Sequence, residues 1–125
     1  MFKDSGTPVM RREPALKADL ESIEGAMVVT PRERIDSAVA PAFEHVVMEA
    51  VDRARKRVVV DLATIDYISS AGLRVMLVVA KKSRALGLVF VICGMRPEVL
   101  KVFETTGLVS ILRIVPDRST ALQSA

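Results

Sequence analysis

At 125 residues, half of them apolar, the chain is long enough for one domain with a buried core and too apolar for disorder throughout. A net charge of only +3, with one tyrosine, four phenylalanines and no tryptophan, argues against a basic, aromatic-studded nucleic-acid platform. The single cysteine, Cys93, rules out an internal disulfide and gives no reason to expect an oxidising compartment.

Residues 1–14 are polar, with Gly6, Pro8 and clustered charges, and read as a flexible leader without the apolar centre of a secretory signal. The domain is expected over residues 15–125. Leu16, Ala18, Leu20 and Ile23 predict an alternating strand, Glu24-Gly25 a turn, and residues 26–30 a second strand, so the domain opens with a hairpin. Residues 31–34 interrupt. Asp36 or Ser37 then caps a helix running to about Arg55, with Val39, Phe43, Val46, Val47, Ala50, Val51 and Ala54 at helical spacing. The basic run at residues 53–57 reads as a solvated helix end that suits the negative pole of the dipole.

Residues 58–62 form a β-branched run typical of a strand buried on both faces. A second helix is expected from Leu73 to about Leu86, closed by Gly87, and then a buried strand over 88–93. Cys93, inside that strand, reads as a small buried hydrophobe. Pro97 suits the first turn of a third helix that extends to Thr106 and is ended by Gly107. A strand over 111–115 follows, and Asp117 caps a short last helix. The longest nearly apolar run, 86–95, contains two glycines and is too short to span a bilayer, so a soluble cytoplasmic protein is expected. Strands alternating with helices after residue 35 imply parallel pairs with right-handed crossovers. With the opening hairpin this makes a single α/β domain, a mixed sheet of about five strands with about four helices.

Enzyme templates are missing: the chain has no GxxxxGK[ST], GxGxxG or HExxH. His45, the only histidine, falls on the polar side of the first helix, and nothing nearby in sequence would orient it as a base. With one cysteine and one histidine only an all-carboxylate metal site is conceivable, and Asp36, Asp61 and Asp66 read instead as loop and cap acceptors. We therefore expect no catalytic group, no metal and no cofactor.

The paired Ser69-Ser70 stands where the pattern changes from strand to helix. A helix start has free N–H donors and a partial positive charge. Either serine can cap it, and a phosphate added there would be stabilised. On a helical wheel Leu73, Met76, Leu77 and Ala80 share one face, while Val75, Val78 and Val79 lie largely on the other beside Arg74 and Lys82. Neighbouring helices are expected to cover Val75 and Val79, and Val78, flanked by Arg74 and Lys82, to belong to a docking strip.

The segment Tyr67-Ile68-Ser69-Ser70-Ala71-Gly72-Leu73-Arg74, following Val58-Val59-Val60-Asp61-Leu62, resembles the signature of STAS domains, especially bacterial anti-sigma factor antagonists. The resemblance extends to Ile35-Asp36, the strand 89–93, the helix 97–107 with Leu108, and the closing helix, about residues 16–125 in all. It implies a non-enzymatic switch. The unmodified protein would bind an anti-sigma factor that is also a serine kinase, with an ATP-binding, histidine-kinase-like fold, and so free a sigma factor. The phosphorylated form would let go, and a metal-dependent serine phosphatase would reset it. In the family pattern Asp-Ser-Ser-Gly the first serine is the acceptor; counted back from Gly72 it falls on Ser70, with Ser69 at the aspartate and Ala71 at the second serine. Ser69 thus offers a second hydroxyl and is the alternative acceptor. The resemblance also implies a partner-binding set of Asp36, Asp61, Ser69, Ser70, Ala71, Gly72, Arg74, Val78 and Lys82, with Asp36 and Asp61 close to the acceptor. Glu33 stands where the family often has glycine, so that turn is expected to differ. Two other roles occur among STAS proteins: an accessory subunit of a lipid-transport ABC assembly, and a structural protein of a sensory complex. The latter usually carries an extra sensory domain, for which this chain leaves no room.

Overall fold

The hairpin turn sets the first register. In the computed structural model, which describes residues 16–124, β1 (Ala18–Ile23) and β2 (Ala26–Pro31) pair antiparallel with Ile23 opposite Ala26. Glu24 and Gly25 are the whole loop, and both have positive φ, 47° and 89°. This is the type I′ combination, whose twist matches that of the strands it joins. The leader expected over residues 1–14 lies outside the described residues.

The β-branched runs become β3 (Arg57–Asp61) and β4 (Val89–Cys93), and β5 (Arg113–Val115) completes a five-stranded sheet in the order β1-β2-β3-β4-β5. From β2 onward the pairs are parallel. Each parallel crossover therefore moves one place in the same direction, and a right-handed connection then puts every crossover helix on the same face. The three crossover helices are α1 (Ala40–Arg53), α2 (Ser70–Ala85) and α3 (Pro97–Thr105). Their buried side chains, among them Phe43, Val47, Met76, Val79 and Phe103, pack with Met27, Val29, Val58, Val60 and Ile92 of the sheet in one core. The alternate strand residues Val28, Val59, Val91 and Cys93 face the other way and pack with Ala121 of α4 (Arg118–Leu122), the short helix after the last strand. Among the described residues no helix is long and apolar enough to cross a membrane.

Besides small shifts at other ends, three boundaries differ from the sequence reading for identifiable local reasons. The first helix begins at Ala40 rather than at Asp36 or Ser37, with Pro41 in its first turn. Asp36 caps the turn before it, its Oδ1 accepting the Val39 N–H at 3.0 Å. The second helix begins at Ser70, three residues before the expected Leu73, because Ser69 caps it there. The last strand is shorter than the expected 111–115: Gly107, at φ 78°, opens a 3-10 turn over Leu108–Ser110 that buries Leu108 and Leu112 and leaves Ile111 exposed.

Candidate functional site

The segments entering α1 and α2 are tied together before either helix starts. Ile35 and Ile68 form an isolated parallel bridge, with the Ile35 N–H donating to the Tyr67 carbonyl at 3.0 Å and the Ser69 N–H to the Ile35 carbonyl at 2.7 Å. Both isoleucines are buried. Gly72 lets the first turn of α2 settle on them: a Cβ there would lie 2.7 Å from Ile68 Cγ1 and 2.9 Å from Ile35 Cγ2. Gly72 itself is buried, with its open side packed against these two isoleucines.

On this platform the two serines part company. Ser69 is the N-cap of α2; its backbone is extended and its Oγ accepts the Gly72 N–H at 3.2 Å. It is 6% exposed. Ser70, the first helical residue, is exposed, and its hydroxyl has no partner among the described residues. From Ser70 a stripe runs down the helix at steps of four residues, through Arg74 and Val78 to Lys82, and all of these are exposed. Val78 is 40% exposed, whereas Val75 and Val79 are buried, as expected for those two. Across a shallow groove from Ala71, Arg74 and Val78 lie Ser37 and, on α1, Ala40, Pro41 and Glu44.

Two further side chains rim the site. Tyr67 is 42% exposed, and the Arg34 guanidinium carbon sits 4.4 Å from its ring centroid, a cation–π stack. Sequence reading passed over Arg34, since a lone arginine in a loop carries no periodic signal. Glu33, at the position the family often fills with glycine, has no left-handed backbone, so that turn does not require glycine. Asp36 follows Ile35 directly, so the bridge brings it beside Ser69; its carboxylate is engaged by the Val39 N–H.

Asp61 is the last residue of β3. It shares the Val59 face of β3, opposite the face that α2 covers. There its Oδ1 accepts the Ala63 N–H at 3.0 Å and its Oδ2 accepts from Arg118 Nε at 3.0 Å. The same guanidinium donates to Glu21 Oε1 at 3.0 Å and to Thr30 Oγ1 at 2.8 Å, so one arginine on α4 ties three adjacent strands. Cys93 is buried on this face, and its thiol is pushed up to about 12, first by desolvation and then by the nearby Asp61 charge. It therefore stays a thiol and packs as an apolar group. His45 is exposed, as its place on the helix implied.

The STAS domain profile matches residues 17–121. The chain belongs to the STAS domain family. A Bordetella bronchiseptica STAS relative, provisionally named anti-sigma factor antagonist BtrV, is 39% identical over 106 residues, covering 85% of this chain and 91% of its own. Among solved structures, a Thermotoga maritima protein provisionally described as an anti-sigma factor antagonist superposes at TM-score 0.79 with 19% identity, covering 85% of this chain and 92% of that one. A Mycobacterium paratuberculosis anti-sigma factor antagonist superposes at TM-score 0.76 with 24% identity, covering 86% of this chain and 92% of the other. Within the STAS family this chain groups with the bacterial anti-sigma factor antagonists.

Proposed function

We propose that this STAS domain is a cytoplasmic partner switch: unmodified, it binds an anti-sigma factor serine kinase and so releases a sigma factor, and phosphorylation of Ser70 ends that binding. One observation carries the choice of residue. Ser69 is buried with its oxygen spent on the helix cap, while Ser70 is exposed with its hydroxyl unpartnered among the described residues. In the transfer the Ser70 oxygen bonds to the γ-phosphorus of ATP, the bond to ADP breaks, and the hydroxyl proton leaves to a base of the kinase. A serine phosphatase hydrolyses the ester to reset the protein.

The position explains why such a modification acts on the partner and not on the fold. A phosphoserine carries roughly −1.5 to −2 charges at pH 7 and is favoured at a helix N-terminus, so α2 has no cause to unwind. Against a partner's apolar or acidic surface the same charge is costly to desolvate, and each ~1.4 kcal/mol of lost binding is tenfold in affinity. The exposed stripe of Arg74, Val78 and Lys82 supplies the rest of the docking surface, an apolar residue between two cations. Ala71 lines the same groove as Arg74 and Val78.

The test is a pull-down from the native cell with wild-type protein, Ser70→Asp, Ser70→Ala and Ser69→Ala, with the captured proteins identified by mass spectrometry. Wild type is expected to retain a kinase with an ATP-binding domain, and Ser70→Asp to lose it. Ser70→Ala should bind but accept no phosphate, and Ser69→Ala should still be phosphorylated. Full phosphorylation of Ser70→Ala together with undiminished binding by Ser70→Asp would overturn the reading. Capture of a permease with its ATPase by every variant would make the protein a transporter subunit instead.

A further inference from the structure

Arg74 stands one helical turn after Ser70, on the same side of α2. Helical side chains lean toward the N-terminus, so a long side chain at this spacing reaches back over the residue four before it. Arg74 is exposed and makes no ion pair among the described residues, although Glu44 lines the same groove. The other cation near the site, Arg34, is held over the Tyr67 ring. Arg74 is therefore the uncommitted charge nearest the acceptor hydroxyl along the helix.

We propose that Arg74 is the intramolecular partner of the phosphate on Ser70. In the unmodified protein its guanidinium is offered outward, to an acidic group of the bound protein. Once Ser70 is modified it folds back and holds two phosphate oxygens in its fork, a geometry lysine cannot reproduce. Phosphorylation then changes the docking surface twice, by adding an anion and by withdrawing a cation from the partner. This inference rests on Ser70 being the acceptor, and makes Arg74 a positioning residue for the modified state.

The experiment needs neither kinase nor partner. Phosphoserine is installed at position 70 during translation, and the phosphorus resonance of the full chain is titrated with pH. A guanidinium in contact favours the dianion, so the second phosphate pKa should be lower in the wild-type background than in Arg74→Gln, by about half a unit. Arg74→Lys should keep part of that shift. Lys81→Gln, a cation about three turns away, should leave it unchanged. Asp36 and Glu44, the carboxylates facing the site from the neighbouring segment and helix, are present in every variant and cancel. Coincident titrations of wild type and Arg74→Gln would overturn the proposal, as would the whole shift being lost in Arg34→Gln with Arg74 intact. Such a failure would leave the Ser70 switch standing, while a failed pull-down would leave the titration result intact.

Discussion

Ser69 and Ser70 carry the same side chain and meet opposite demands. Removing the Ser69 hydroxyl takes the acceptor away from the Gly72 N–H, and an N-cap serine to alanine change costs ~1 kcal/mol. Ser70→Ala removes nothing that the fold uses, so urea denaturation should place it within ~0.5 kcal/mol of wild type. Gly72 is the more fragile neighbour. Its missing Cβ is the space taken by Ile68 and Ile35, and those side chains belong to a bridge that cannot slide. Gly72→Ala should destabilise by about 1–3 kcal/mol, measured by the same denaturation, even though alanine is the better helix former. The sequence offered both serines as caps for this helix. It could not show which one, because capping preference is the same for both and the choice depends on where the bridge from Ile35 sets the first turn.

At the scale of elements, the opening hairpin holds the clearest local conflict. Type I′ geometry asks for positive φ at both loop residues, and Glu24 adopts 47° with a side chain that disfavours it. Glu24→Asn should stabilise the protein by ~0.5–1 kcal/mol, read as a higher urea midpoint at unchanged slope. A fall in stability would mean that the Glu24 side chain has a role beyond the turn. The strands and helices themselves were legible, since the β-branched run 58–60, the apolar run 89–92 and the apolar spacing of α1 carry strong signals. The last strand was not. Leu108, Ile111 and Leu112 look alike in sequence, and only the 3-10 turn after Gly107 separates the two that are buried from the one that is exposed.

Over the whole molecule, the two faces of the sheet do different work. The exposed stripe from Ser70 to Lys82 lies on the face of the three crossover helices, and Arg118 holds the other. Arg118→Ala would leave the buried Asp61 carboxylate with the Ala63 N–H alone and should cost about 2 kcal/mol, a figure kept modest by the guanidinium's partial exposure. Arg118→Lys should recover only part, since one ammonium cannot span acceptors on three strands. Thermal unfolding of the two variants checks both statements; equal stability of Arg118→Ala and wild type would show the tie to be idle. No local pattern announced it: the partners of Arg118 lie 57, 88 and 97 positions back along the chain. The division of labour between the serines has a last consequence, for time. A hydroxyl with no duty in the fold can be esterified and freed repeatedly without waiting for any rearrangement of the chain. Under the proposed switch, the lifetime of the signal would be whatever the modifying enzymes make it, and a population of these molecules would report the ratio of two enzyme activities as a graded fraction, with no memory of its own.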